Sequence, residues 1–315
     1  MLAVVCPGQG SQTPSMLTPW LQVPGVEQTL GEFSDVAKID LVAHGTTSDA
    51  DTIRDTAVAQ PLIVASSLLA YRAIFDHDSP GYTVSVTAGH SVGEFAAAAV
   101  AGVLEDSSAV ALVSHRARFM AQAAAAEATG MAAVVGGDPT EVLAAIEAAG
   151  LTPANVNSAA QVVAAGSLSG IEALAATPPA KARVLPLKVA GAFHTSYMAS
   201  AHHQFKAVAT TWESSDSSVR LLSNRDGQAF TGGSLGLGTG SEVLAALTSQ
   251  IVSPVRWDLC QETLASLGVT GIVELAPGGV LTGIAKRSLP GVELFAIKSV
   301  DDLDTARAFA AQHAN

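Results

Sequence analysis

The pentapeptide Gly89-His90-Ser91-Val92-Gly93 sets a serine between two glycines, each two residues away. It follows Tyr82–Ala88, which reads as a strand, and precedes Glu94–Val100, which reads as a helix. In that strand–turn–helix setting G-x-S-x-G forms a nucleophile elbow. Small neighbours clear a sharp bend, and the helix N-terminus stabilises negative charge near the hydroxyl. The Val92 N–H is then placed to donate to an oxyanion. The alternative is an ordinary strand-to-helix turn whose serine merely caps the helix.

Such a serine needs a base. His90 adjoins Ser91, but neighbouring side chains diverge at a sharp turn, so it reads as a residue that packs or supports the elbow. His194, in Ala192-Phe193-His194-Thr195-Ser196, comes from a distant segment and is the candidate base. His44, His77, His115, His202, His203 and His313 sit in polar, charged or chain-terminal settings and read as surface residues.

A charge stands on the wrong face of the helix read at Ser107–Ala125, started by Asp106 or a neighbouring serine as cap. Leu112, Val113, Phe119 and Met120 form an apolar stripe at helical spacing. Arg116 falls inside that stripe, whereas Arg118 lies nearer the polar side with Ser114. A buried, unpaired guanidinium costs several kcal/mol, so it must find an anion. That anion is either an internal carboxylate such as Glu94 or the carboxylate of a substrate held by the guanidinium fork. A side chain that snorkels to solvent is the third reading.

The elements that must position these residues alternate strand and helix, which predicts a mostly parallel sheet covered by helices. Leu2–Cys6 reads as a buried strand ending at the turn Pro7-Gly8-Gln9-Gly10, and Gln60–Phe75 as a helix with Pro61 near its first turn. Residues Met131–Val189 stand apart. Met131–Val135, Ala154–Asn157, Gln161–Ala165 and Arg183–Val189 read as strands, with helices at Thr140–Ala148 and Ile171–Ala176. That βαββαβ order is the ferredoxin-like one. The fold class is therefore α/β, with a large domain over residues 1–127 and 193–315 and a small inserted α+β subdomain over 128–192. Thr231–Gly240 reads as a loop and Ser214–Ser218 as a solvated turn.

Composition sets the outer limits. The 315 residues are 49% hydrophobic and only 14% charged, so a sizeable core forms and disorder is not expected. A formal charge of −12 argues against nonspecific nucleic-acid binding. No stretch approaches the roughly 18 consecutive apolar residues of a membrane span. The start MLAVVCPGQG has no basic leader and reaches Pro7 too soon for a signal peptide. A cytoplasmic enzyme is expected. Cys6 and Cys260 show neither metal nor redox spacing and read as buried thiols.

With these residues in view, the sequence resembles malonyl-CoA:acyl carrier protein transacylases and the related acyltransferase domains of fatty-acid and polyketide synthases. The likeness runs through Pro7-Gly8-Gln9-Gly10-Ser11-Gln12, Gln60-Pro61, Gly89 to Glu94, Arg116 with Phe119-Met120, and Asn155-Val156-Asn157. It continues through Gly191-Ala192-Phe193-His194, Gln250 before Ser253-Pro254-Val255-Arg256-Trp257, and Glu274-Leu275-Ala276-Pro277-Gly278-Gly279. The resemblance implies a hydrolase-like core with a ferredoxin-like insert. It also implies roles: Ser91 acylated, His194 as general base and then acid, and Arg116 on the malonyl carboxylate. Gln9 and the Val92 N–H would form the oxyanion hole, and the main-chain carbonyl of Gln250 would orient the imidazole. Gln60 and Asn157 would be further pocket residues, and Phe193 would favour malonyl over methylmalonyl.

The implied partners are malonyl-CoA, as substrate, and an acyl carrier protein, with no cofactor or metal, no nucleic acid and no membrane, and a monomer favoured. Lys181, Arg183, Lys188, Lys286 and Arg287 are candidates for docking an acidic carrier, against the bland reading of a solvated face. Three alternatives stay open: a serine esterase or thioesterase, a noncatalytic carrier-binding relative, and an acyltransferase for another extender unit such as methylmalonyl.

Overall fold

The computed structural model describes residues 1–75 and 83–314. The chain runs β1 (Leu2–Cys6), α1 (Val26–Ala37), α2 (Leu41–Thr46), α3 (Thr56–Phe75), β2 (Val86–Gly89), α4 (Gly93–Val100) and α5 (Asp106–Ala126). It continues as β3 (Thr129–Gly136), α6 (Pro139–Ala148), β4 (Thr152–Ser158), β5 (Gln161–Ser167), α7 (Leu168–Ala176) and β6 (Ala182–Pro186). Then follow α8 (Ala199–Ala209), β7 (Arg220–Leu221), α9 (Gly240–Ser249), β8 (Val255–Arg256), α10 (Trp257–Ser266), β9 (Gly271–Glu274), α11 (Val280–Ser288), β10 (Glu293–Ala296) and α12 (Leu303–His313).

Two sheets result. The first has the order β10-β9-β1-β2-β7, and every pairing is parallel. Its central strand β1 is buried on both faces: Leu2, Val4 and Cys6 join one core cluster, while Ala3 and Val5 join another. A strand covered on both sides has no polar alternation to show, which is why Leu2–Cys6 is uniformly apolar. The second sheet has the order β6-β3-β5-β4-β8, antiparallel through its first four strands. That is the ferredoxin-like strand order, with α6 and α7 on one face. The period of two is explicit in β3: Ala132 and Val134 face α6 and α7, and Met131 and Ala133 face the main core. A fifth strand, β8, pairs parallel to β4 and comes from outside residues 128–192.

The structure moves several local boundaries. Helix α3 begins at Thr56 rather than near Gln60, because the Asp55 carboxylate accepts the Ala57 N–H at 2.7 Å and starts the helix earlier. Pro61 therefore lies within the second turn. This helix is long and apolar enough to cross a membrane by length and composition, yet 78% of its apolar window is buried in the protein. It packs against α4 and α5 as a core helix. Asp106 does not cap α5; it is the first helical residue and forms a double hydrogen bond to Arg72 at 2.8 Å. Strand β2 starts at Val86, and Tyr82 and His77 lie outside the described residues. Ser114 is buried and donates to the Val110 carbonyl, and Ser217 is buried within an otherwise exposed turn. His313 is also buried, packed on Phe309 and bonded to Thr270 Oγ1 at 3.0 Å, so it is not a surface histidine. Cys6 and Cys260 are free, buried thiols, and burial raises both above the usual thiol range.

The turn from β2 to α4 is where packing is tightest. A Cβ on Gly89 would overlap the backbone of Gly93, and one on Gly93 would overlap the carbonyl of Cys6. A Cβ on Gly31, inside α1, would meet nothing within 4 Å. Gly93→Ala should therefore cost about 3 kcal/mol or more and lower the melting temperature by roughly 5–10 °C, since backbone cannot move aside as side chains do. Gly31→Ala should raise stability by about 0.5–1 kcal/mol by removing chain entropy from the unfolded state. Thermal unfolding of the two variants checks both; equal shifts would mean the elbow is looser than its geometry.

Candidate active site

Ser91 stands at the bend with φ of 52° and His194 on a separate loop with φ of 61°. Both are left-handed conformations that cost a non-glycine residue roughly 1–2 kcal/mol, so each is held there by its surroundings. The two side chains meet: Ser91 Oγ lies 2.7 Å from His194 Nε2. The other imidazole nitrogen, Nδ1, is 2.8 Å from the main-chain carbonyl of Gln250, just past the end of α9. A carbonyl only accepts, so Nδ1 carries the hydrogen and Nε2 is left as the lone-pair nitrogen facing the serine. Burial first, then the positive charge of Arg116, hold the imidazole down to about 3 from the usual 6.5. At neutral pH it is an uncharged base.

Arg116 is fully buried, one helical face of α5 carrying it into the site. Its Nη1 donates to Gln60 Oε1 at 2.6 Å and its Nη2 to Gln250 Oε1 at 2.8 Å, with Ser91 Oγ 3.4 Å from the same Nη2. Its Nε has no hydrogen-bond partner among the described residues. The guanidinium also lies 5.7 Å from the centre of the Phe95 ring. None of its side-chain acceptors among the described residues is charged, so of the readings open from sequence, neither the direct ion pair nor the snorkelling arginine is found there. Burial draws its pKa down to about 9, opposed by the Glu94 charge, and it stays a cation at neutral pH.

Glu94 reaches Arg116 only through an amide. Gln250 Nε2 donates to Glu94 Oε2 and, at 3.0 Å, to the carbonyl of Ser91. These donations turn Gln250 Oε1 toward the arginine. Burial pushes the Glu94 carboxyl up to about 8, against the lowering effects of the Asn224 N–H and the Arg116 charge.

The remaining predicted residues surround the same cavity, which has a volume of about 730 Å³. Gln9, Gln60, Val92, Asn157 and Phe193 all line it, as do Ser91 and His194. Gln9 Nε2 is loosely placed, 3.4 Å from both the Arg54 carbonyl and Thr56 Oγ1. Val92 occupies the N-cap position of α4, where an N–H has no intrahelical acceptor. Asn157 Oδ1 bonds His90 Nε2 at 2.8 Å, so His90 supports the elbow from the second sheet instead of acting on the serine. Phe193 is buried beside the base.

Strand β6 ends at Pro186, three residues before the predicted boundary, which releases Leu187, Lys188 and Val189 to line the cavity. Lys188 and Arg287 are its exposed basic lining, whereas Lys181, Arg183 and Lys286 are exposed outside it. Among the described residues no group of His, Cys, Asp and Glu is arranged to hold a metal.

Two participants escaped the sequence reading. Asn224, fully buried, binds the backbone on both sides of His90, and the side chain of Gln250 bridges Arg116 to Glu94. Neither stands in a pattern that marks an amide as special.

Residues 3–305 match the acyl transferase domain family. The malonyl CoA-acyl carrier protein transacylase of Mycobacterium bovis is 51% identical over 304 residues, covering 96% of this chain and 98% of that protein. The Escherichia coli K12 protein of the same name is 35% identical over 293 residues, covering 90% and 92%. Among solved structures, MCAT from Mycobacterium tuberculosis superposes with a TM-score of 0.92 at 50% identity, covering 98% of this chain and 99% of that one. A malonyl-transacylase solved in complex with its type II PKS acyl-carrier protein gives a TM-score of 0.86 at 30% identity, covering 98% and 99%. A shared fold, a matched domain and half-identity across nearly the full length agree, and the chain belongs to the malonyl CoA-acyl carrier protein transacylase family of acyltransferases.

Proposed function

We propose that this enzyme transfers a malonyl group from malonyl-CoA to the phosphopantetheine thiol of an acyl carrier protein, through a malonyl ester on Ser91. The observation that carries the proposal is one hydroxyl shared by two groups. Ser91 Oγ lies 2.7 Å from a neutral imidazole and 3.4 Å from a buried guanidinium whose other two side-chain acceptors are neutral amides. Once Oγ is acylated, a malonyl carboxylate sits one methylene beyond the ester carbonyl, within reach of a fork that close to the oxygen. An acetyl group offers that fork nothing.

In the first half-reaction His194 Nε2 takes the Ser91 proton as Oγ attacks the thioester carbonyl. The tetrahedral oxyanion accepts hydrogen bonds from the Val92 N–H and from Gln9 Nε2, which turns from its long contacts with Arg54 and Thr56. Collapse breaks the carbon–sulfur bond, and the coenzyme A thiolate takes the proton from His194. In the second half-reaction the carrier thiol gives its proton to His194 and attacks the acyl-serine, and Ser91 leaves with that proton. The Gln250 carbonyl stabilises the imidazolium formed in each step. Phe193, buried beside the base, crowds a branch at the acyl α-carbon. One methyl in such a pocket is worth about 1–3 kcal/mol, so methylmalonyl is disfavoured rather than refused.

Lys188 and Arg287 at the cavity mouth, with Lys286 beside them, supply local positive charge on a protein of net charge −12 and suit an acidic carrier.

Intact-protein mass spectrometry after mixing with malonyl-, methylmalonyl- and acetyl-CoA should show malonyl loaded fastest, on Ser91. Arg116→Ala should slow malonyl loading by about a hundredfold and acetyl loading far less, because a lost charge-assisted fork costs only the acyl group that used it. Equal losses would remove Arg116 from carboxylate recognition, and release of free malonate faster than carrier loading would make the protein a hydrolase.

The depressed imidazole has its own consequence. An ordinary histidine base loses activity as pH falls through 6.5, whereas this one stays neutral until about 3. The rate of Ser91 acylation should therefore hold level from about pH 7 down to about pH 5, within the range where an unperturbed base would titrate. A tenfold fall across that interval would place the imidazole in a wetter site.

Reversing both charges, Lys286→Glu with Arg287→Glu, should raise KM for the carrier by about tenfold and exceed any change in KM for malonyl-CoA. An unchanged carrier KM would move the docking face elsewhere.

A further inference from the structure

The backbone of the nucleophile is gripped by a side chain that the proposed reaction does not use. Parallel pairing between β2 and β7 covers Val86 with Arg220 and Thr87 with Leu221, and the ladder continues as the Leu222 N–H donates to the Thr87 carbonyl at 3.0 Å. The next carbonyl on that edge is Gly89. The backbone donor two residues on, the Asn224 N–H, turns away and donates to Glu94 Oε1 at 2.6 Å. The Asn224 side chain takes its place: Nδ2 donates to the Gly89 carbonyl at 2.7 Å, and Oδ1 accepts the Ser91 N–H at 2.8 Å.

One planar amide thus holds an acceptor before the bend and a donor after it. Its second contacts are to the same surroundings, Gln250 Nε2 at 3.4 Å from Oδ1 and Cys260 Sγ at 3.7 Å from Nδ2. The residue is 0% exposed, so water competes for none of these bonds. Few side chains meet both demands. Aspartate accepts but has no donor for Gly89, leucine has neither group, and serine is too short to span both.

We propose that Asn224 is a positioning residue for the nucleophile. By fixing the Gly89 carbonyl and the Ser91 N–H in one plane, it holds Ser91 in its left-handed conformation and aims Oγ at His194 Nε2. Through its own N–H it also steadies Glu94, and so the Gln250 amide that faces Arg116. The inference rests on reading Ser91 as the nucleophile, and not on which acyl group it carries.

Asn224→Ala and Asn224→Asp are compared with the parent protein by the rate of Ser91 loading from malonyl-CoA and by its phosphonylation with a fluorophosphonate. Both rates are expressed per mole of folded protein. Binding of malonyl-CoA is measured separately in a Ser91→Ala background with and without Asn224→Ala. Misaiming the hydroxyl should slow both reactions of Asn224→Ala by about thirtyfold, and those of Asn224→Asp by about tenfold, while the Kd changes by less than about threefold. A purely structural role moves only the melting temperature; rates per folded molecule within threefold of the parent for both variants overturn the assignment. The fluorophosphonate comparison stands alone. A parent protein that reacts with it but is not loaded by malonyl-CoA contradicts the substrate reading, and the variants' phosphonylation rates still decide Asn224.

Discussion

A hydroxyl and an imidazole meet at 2.7 Å only because two backbones are held where side-chain-bearing residues rarely go. Ser91 and His194 both occupy left-handed conformations, one on a bend with no space for a Cβ at either flanking glycine, the other on a loop that leaves the second sheet. Neither conformation is favourable by itself. The packing of β1, β2 and α4 imposes the first, and the Gln250 carbonyl anchors the residue in the second. The rest of the site depends on that contact, since an imidazole one ångström farther off would lie beyond hydrogen-bond reach of the serine.

Charge inside this site is managed by amides. Arg116 is buried without a carboxylate partner, and Gln60 and Gln250 satisfy its terminal nitrogens while leaving its charge uncommitted. Glu94 lies beyond Gln250, linked to the arginine through that amide and not seated in its fork. A direct ion pair would have been the simpler way to bury an arginine, but it would compete with any carboxylate brought by a substrate. Burial first, and then the same positive charge, keep His194 neutral, so its Nε2 lone pair is free to accept a proton at neutral pH. One buried cation thus keeps its own fork free of carboxylates and helps to hold the neighbouring imidazole uncharged.

The two sheets contribute different walls. The parallel sheet supplies the elbow, and the antiparallel sheet supplies Met131, Ala133, Val163, Asn155 and Asn157 on the face turned away from α6 and α7. They are tied beside Ser91. His90, next to Ser91, bonds Asn157 on β4, and Gln261 on α10 donates to the Asn157 carbonyl at 2.7 Å. Strand β8, which precedes α10, adds itself to the edge of β4. A shift of one sheet against the other would therefore be felt at the elbow through His90.

Local pattern determined much of this. Leu2–Cys6 is a strand in sequence and in space, the serine stands between a strand and a helix, and Arg116 interrupts an apolar stripe at helical spacing. The βαββαβ order of the insert was legible because each element carries its own period. The base and the carbonyl that orients it came from likeness to a family, since one histidine looks much like another along a chain. Tertiary structure alone decided the buried His313, the start of α3 at Thr56, and above all the work of Asn224 and the Gln250 side chain. The reason is physical. Periodicity records which face of an element is dry, and that information is local; an amide's role is set by which donors and acceptors lie within 3 Å, and here those lie 133 and 156 residues away.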